Sequence, residues 1–297
     1  MENNPLHISI VIIGYNTKDS LKKTLESINN LIITNHIIEI IYIDDGSTDN
    51  SFKTFTNFNL KFNKNQFQFN NNQGRSHARS KGIELASGEW VVFLNSNIRV
   101  ESNLILKYSE SIWKNTAYAF GGCINYTSTD SIFEKYLNHP SRGIKKYTNY
   151  QIIDYQNLLF SNCMIKKSIF DTIKLNLDLK YYGAEELDFA YQLNKKFPKM
   201  MRASKEAIAT RINHPDYEQY LYKLIEFGAT NFNYLDEQLK RDVIKFNILL
   251  MKNICFRGLF NLLYCICRRY YKIKFISNDI IKIGMLSAIL KGYYKIK

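Results

Sequence analysis

Two acidic pairs in the chain have the residue types needed for proton transfer or ligand binding. Asp44-Asp45 follow the apolar run 40–43 and precede a Gly-Ser turn, whereas Glu185-Glu186 open a segment with helical spacing. A carboxylate can take a proton from an attacking hydroxyl group or accept hydrogen bonds from a polar ligand. The helix dipole alone also favours acids at a helix N-terminus, so the second pair does not by itself establish a catalytic site.

A third polar group, Asn95-Ser96-Asn97, follows the apolar run 90–94. Asparagine offers neutral carbonyl oxygens, which bind hard cations much less well than carboxylates do. The residue types therefore predict no tightly bound metal. A weakly bound Mn²⁺ or Mg²⁺ remains open at this position.

The elements around these groups follow a βαβ rhythm. Residues 8–16 and 39–45 are apolar runs that end in polar turns, and residues 21–31 and 75–86 have helical spacing. Such runs predict strands buried on both faces of a parallel sheet. Ligands collect outside the carboxyl ends of such strands, so Tyr15, the aspartate pair and the Asn-Ser-Asn triplet are expected to converge there.

Five motifs, in order, resemble the family 2 glycosyltransferases. They are SIVIIGYN, DDGSTDNS, NNQGRSHARSKGI, the strand with its triplet, and GAEELDF, which together cover roughly residues 8–193. The resemblance implies a GT-A fold, an α/β architecture with a mixed, mostly parallel sheet flanked by helices. It divides the chain into a nucleotide-sugar half (1–99), an acceptor half (100–215) and a helical basic extension (216–297).

The same resemblance implies transfer, with inversion, from a nucleotide-sugar donor to a glycan or lipid-linked acceptor. By position, Glu186 holds the slot of the catalytic base, with Glu185 beside it. The donor-binding positions are Tyr15, Asp44, Asp45, Arg79, Asn95 and Asn97.

Two residues bear on the identity of the donor. The ring of Tyr15 can lie against a nucleobase, and Asp45 can accept the imide N–H of a uracil, which adenine lacks. A UDP-sugar is therefore favoured, with a dTDP-sugar next.

The chain departs from the family where Asp-x-Asp is replaced by Asn95-Ser96-Asn97. Three interpretations stay open. The leaving diphosphate is stabilised by cationic side chains such as Arg79, Arg99 or His214, or a weak metal site uses Asn97 and His214. In the third, the chain is an inactive scaffold or binding subunit. The retained acidic pairs favour an active enzyme.

Almost all of the net charge of +13 lies in the tail. Residues 240–297 carry 13 basic and 2 acidic side chains, and the other 239 residues carry 27 and 25. Residues 241–269 combine a basic stripe with a wide apolar face, which is typical of a helix in a membrane interface. A helix packed on the catalytic lobe, with its basic stripe in water, is the equal alternative.

Composition also bears on location and on other partners. The five cysteines are an odd number without Cys-x-x-Cys spacing, and the N-terminal residues show no signal peptide. A cytoplasmic location is predicted, with peripheral binding to an anionic membrane through 241–269. Nucleic acid is not predicted as a partner, because the tail contains no recognisable nucleic-acid module.

Overall fold

The structure, a computed structural model, describes residues 4–245, 254–273 and 277–295. These residues form two compact units. The first comprises Met1–Thr127, Asn138–Leu177 and Glu185–Asn213; the second comprises Ser128–Leu137, Asp178–Ala184 and His214–Lys297.

Eight strands in residues 4–245 form one sheet in the order β3-β2-β1-β4-β7-β6-β8-β5. The first four are parallel, whereas β7 runs antiparallel to β4 and to β6, and β5 runs antiparallel to β8. The strands are β1 (His7–Gly14), β2 (Ile37–Asp44), β3 (Asn63–Gln68), β4 (Trp90–Asn95), β5 (Ile98–Val100), β6 (Ala119–Ser128), β7 (Asn162–Lys166) and β8 (Met201–His214).

The first unit contains helices beside this sheet, and the second unit is mainly helical. They are α1 (Lys18–Asn29), α2 (Ser51–Asn57), α3 (Arg75–Leu85), α4 (Leu104–Lys114), α5 (Ser131–Leu137), α6 (Ile169–Thr172), α7 (Glu185–Lys196), α8 (Tyr217–Ala229), α9 (Glu237–Ile244), α10 (Ile254–Tyr270) and α11 (Ser277–Tyr293). The predicted α/β class, with a mixed sheet flanked by helices and a helical C-terminal extension, is confirmed.

The apolar run of β1 is buried on both faces of the sheet. Successive side chains of a strand point to opposite faces, so Ile12 joins the buried cluster that contains Leu25 of α1, and Ile13 joins the one that contains Phe189 of α7. Burying one aliphatic side chain stabilises a fold by about 1.5–3 kcal/mol. This two-sided burial fixes the register of β1 and therefore the positions of the residues that follow it.

One element was not anticipated. The Asn-rich segment 57–72 has the composition of a surface connection, yet it contains the edge strand β3, which pairs with β2 from Asn63 to Gln68. Most of its side chains are exposed, so backbone pairing rather than apolar alternation defines this strand.

In the second unit, α11 packs closely on α8. Gly228 of α8 lies so near α11 that a Cβ there would overlap the carbonyl group of Ile289. The hydroxyl group of Tyr217 donates to the carbonyl oxygen of Ile281 at 3.2 Å. α8 begins at an N-cap, Asp216, which accepts the backbone N–H of Gln219 at 2.8 Å.

The basic segment predicted over 241–269 is not one helix. α9 ends at Ile244, and Lys245 takes a left-handed conformation with φ 51°. Lys252 and the neighbouring apolar residues 248–251 lie outside the described residues. In the ranges that the structure describes, no helix is both long and apolar enough to cross a membrane.

Candidate functional site

The site lies in the first unit, at the carboxyl edge of the parallel strands. β1 and β2 pair so that Gly14 lies opposite Asp44, and β1 and β4 pair so that Ile13 lies opposite Asn95. Residues that are far apart in sequence therefore meet at one edge of the sheet, as the βαβ rhythm predicted.

Hydrogen bonds tie together the turns that follow β1 and β2. The backbone N–H of Asn16 donates to the Ser47 hydroxyl at 2.8 Å, and that of Lys18 donates to the Asp49 carboxylate at 2.9 Å. Tyr15, at the start of the first turn, keeps 47% of its surface exposed. Its ring is therefore accessible to a planar ligand at the rim of the site.

Asp44 is fully buried at the end of β2. Its carboxylate accepts the Ser47 backbone N–H at 2.6 Å and the Tyr42 hydroxyl at 3.0 Å, and the Gln68 amide donates to it at 3.3 Å. Asp44 thus stabilises the turn that follows β2.

Asp45 anchors the loop that leads into α3. One carboxylate oxygen accepts the backbone N–H of Gln73 at 2.8 Å, and the other accepts that of Gly74 at 3.0 Å. Burial raises the pKa of Asp45 above its usual value, although these two hydrogen bonds oppose the shift.

Although Asp45 lies at the end of a strand, its side chain is only 5% exposed. Losing the carboxylate would leave two amide donors without their acceptor, at about 1–3 kcal/mol for each buried group. Uracil recognition by Asp45 stays a prediction. Its test must separate loss of binding from loss of stability.

Arg79 and Glu185 form a buried ion pair between α3 and α7. Arg79 Nη1 lies 2.7 Å from Glu185 Oε1, and both side chains are 2% exposed or less. Arg79 Nη2 also donates to the Asn95 side-chain oxygen at 3.0 Å, and the guanidinium lies 5.0 Å from the centre of the Phe160 ring. Burial opposes ionisation of Glu185, but the charges of Arg79 and Arg75 outweigh it and hold its pKa below the usual value.

Glu186 has the opposite environment from its neighbour. Its Oε2 accepts the backbone N–H of Phe160 at 2.8 Å. Burial, and then the negative charge of Glu185, raise the pKa of Glu186 above its ordinary value of 4.5. Adjacent carboxylates with opposite pKa shifts are a recurring feature of sites that move protons.

Asn95 and Asn97 offer only neutral ligands to a divalent cation. The Asn95 oxygen is already bonded to a guanidinium, and the Asn97 side chain, whose amide donates to the Ile212 carbonyl at 3.4 Å, is neutral. Within the described ranges, no three His, Cys, Asp or Glu side chains are grouped so as to hold a metal ion.

His214, the other predicted metal or phosphate contact, belongs to the second unit. Its Nδ1 lies 2.8 Å from the carbonyl oxygen of Pro215. The imidazole packs against the rings of Phe133 and Tyr220, with centroid distances of 5.6 and 5.3 Å. An aromatic cluster within its own unit thus surrounds this histidine.

Arg75 and Phe160 complete the site, and the sequence reading missed both. Arg75 lies 3.7 Å from Glu185. It precedes Arg79 by four residues, and residues at this spacing lie on the same face of a helix. The sequence therefore could have predicted that Arg75 lies beside Arg79. The sequence could not predict Phe160 in the same way. Its backbone N–H donates to Glu186 and its ring lies against Arg79, and only the fold brings these groups together.

The chain is similar to bacterial glycosyltransferases. Glycosyltransferase GlyG of Streptococcus pneumoniae serotype 4 is 29% identical over an alignment of 201 residues, which covers 64% of this chain and 66% of that protein. The GalNAc(5)-diNAcBac-PP-undecaprenol beta-1,3-glucosyltransferase of Campylobacter jejuni is 25% identical over 183 residues, 60% of this chain and 57% of that protein. The chain thus spans less than two thirds of either relative.

A solved structure and a family model complete the comparison. S. aureus TarS 1–349 in complex with UDP-GlcNAc matches with a TM-score of 0.56 at 13% identity, covering 98% of this chain and 92% of that chain. At this identity the likeness concerns the fold alone. The model of glycosyl transferase family 2 matches residues 9–174, more than half of the chain. This chain is therefore a member of glycosyl transferase family 2.

Proposed function

We propose that this chain transfers a sugar from a UDP-sugar to a lipid-linked glycan, with inversion and without a bound divalent cation. The observation that carries the proposal is the pair Glu185 and Glu186. One carboxylate is neutralised by arginine, and its neighbour has a raised pKa.

Glu186 is the proposed catalytic base. In an inverting transfer the acceptor oxygen bonds to the anomeric carbon while the bond to the diphosphate oxygen breaks, and the acceptor proton passes to the base. A raised pKa brings Glu186 closer to the pH at which it works, which favours proton uptake. Glu185 is unsuited to this step, because Arg79 already occupies its Oε1 at 2.7 Å.

The arginines are proposed to compensate the charge of the leaving diphosphate. Arg75, whose side chain is 36% exposed, is the arginine that a diphosphate can reach, whereas Arg79 is 1% exposed and holds Glu185. Fixed cations aimed at developing negative charge are a general means of stabilising a leaving group. Arg99 lies in β5 with an exposed side chain, and its part in this step stays a prediction.

The donor is proposed to be a UDP-sugar for two reasons. Tyr15 presents an exposed ring at the rim of the site, and TarS, which shares the fold, has been solved with UDP-GlcNAc. Asn95 and Asn97 lie at the same edge of the sheet and are the proposed neighbours of the sugar diphosphate.

The proposed acceptor class follows from the Campylobacter relative, whose name specifies an undecaprenol-linked glycan. The alternative role, an inactive scaffolding or binding subunit, has no support from the relatives, which carry transferase names.

A donor screen tests the proposal. We expect UDP release from at least one UDP-sugar in the presence of a chelator, and little or none from ADP-sugars, because adenine has no imide N–H for Asp45 to accept. Liberated nucleotide is measured by chromatography. Release from ADP-sugars alone would remove uridine recognition from the account.

A further inference from the structure

α10, in the second unit, has one face that is packed against its neighbours. Phe260, Tyr264 and Cys267 are buried. Lys291 of α11 lies over the Tyr264 ring at 3.9 Å from its centre, and Gly284 of α11 approaches Cys267 closely. These contacts fix which side of α10 faces inward.

The opposite face of α10 is apolar and exposed. It carries four side chains at intervals of three or four residues, each between 43% and 58% exposed: Leu259, Leu262, Ile266 and Tyr270. From Leu259 to Tyr270 this stripe is about 17 Å long at the rise of an α-helix. Single exposed apolar residues are ordinary, but a contiguous stripe marks an interaction surface.

The segment that carries this stripe is basic. Residues 254–273 contain four arginines and lysines and no acidic residue. Arg269 borders the stripe, and Lys272, also exposed, follows the end of the helix. By helical spacing Arg257 lies toward the packed face, and Arg268 forms an ion pair with Glu218 of α8. Two exposed cations therefore lie beside the stripe or at its C-terminal end.

We infer that the outer face of α10 docks on an anionic lipid surface. Aliphatic and tyrosine side chains can enter the boundary between head groups and acyl chains, while Arg269 and Lys272 meet the anionic head groups. A second copy of the chain fits less well, because a two-fold interface would bring the same basic residues face to face. This inference goes beyond the proposed transfer reaction and does not depend on it.

The experiment measures binding of the full chain to vesicles of phosphatidylcholine, with and without phosphatidylglycerol. We expect binding to the anionic vesicles that weakens as salt rises, since salt screens the charges. The variant Arg269→Gln/Lys272→Gln should bind about 30-fold more weakly, because each cation near the surface contributes about 1 kcal/mol.

A matched control removes two exposed lysines of the first unit, Lys22 and Lys53, by Lys→Gln changes that lower the net charge by the same amount. It should bind anionic vesicles as well as the wild type does. Equal loss in both double variants would show that net charge alone drives binding, and would overturn the assignment to α10.

The apolar stripe has its own test. Leu262→Asn should weaken vesicle binding, whereas Leu177→Asn, at a leucine 41% exposed in the first unit, should not. Both changes lie on the surface, and thermal unfolding checks that each variant folds. The inference fails if wild-type protein does not bind anionic vesicles at low salt, or if Leu262→Asn instead abolishes a dimer seen by sedimentation. UDP affinity should be unchanged in each variant, so these outcomes are separate from those of the donor screen.

Discussion

Glu186→Gln should reduce turnover by about 10²–10⁴-fold while UDP affinity stays near that of the wild type. The amide keeps the size of the side chain, and its carbonyl oxygen can still accept the Phe160 N–H that now lies 2.8 Å from Glu186. The variant therefore loses the proton acceptor without losing the local fold. Steady-state kinetics and a UDP titration measure the two effects separately.

The pH profile supplies the control for this variant. Only the ionised form of Glu186 can accept a proton, and its pKa is raised above 4.5. Turnover should therefore fall as the pH drops through that raised value, and the Gln variant should lack this acid limb. A Glu186→Gln variant with full activity would transfer the role to another carboxylate, such as Asp188.

Removing one partner of the buried pair should have the largest effect on stability. Arg79→Met leaves Glu185 buried, with Arg75 at 3.7 Å as its remaining cation. Breaking a buried ion pair in this way costs about 3–5 kcal/mol. Denaturant unfolding at neutral pH should show a loss of this size.

The double variant Arg79→Met/Glu185→Leu is the control. It removes both charges and should recover much of the lost stability, because no isolated charge remains buried. The lowered pKa of Glu185 means that its contribution is fully present above the ordinary value of 4.5 and is lost as the pH falls through the lower, folded value. If the single and double variants are equally unstable at neutral pH, the pair is not the source of the loss.

Much of the fold could be predicted because its central strands are almost wholly apolar. In β1 and β4 the chain has few alternatives to burial on both faces, so the positions of Tyr15 and Asn95 at the sheet edge followed directly. β3 could not be predicted in the same way. It is an edge strand with exposed side chains, held by backbone pairing to β2, and its Asn-rich sequence contains no alternation.

The sequence identified the acidic pair but could not show what each carboxylate contacts. The residues of the acidic pair Glu185-Glu186 look alike in sequence, and only the fold gives one of them Arg79 and the other a backbone N–H. The burial of Asp45 was missed for the same reason, since the loop that covers it comes from residues 69–74, about 29 positions away. In the tail, helical spacing predicted one continuous segment and did not reveal that α9 ends at Ile244, where Lys245 takes a left-handed conformation.

Calorimetric titration of UDP, with Mn²⁺ and separately with a chelator, tests the central claim most directly. The Asn95 oxygen is bonded to Arg79 and the Asn97 side chain is neutral, so the account predicts the same UDP affinity under both conditions. Binding that requires Mn²⁺ would contradict the metal-free site. No UDP binding under either condition would contradict UDP-sugar transfer itself.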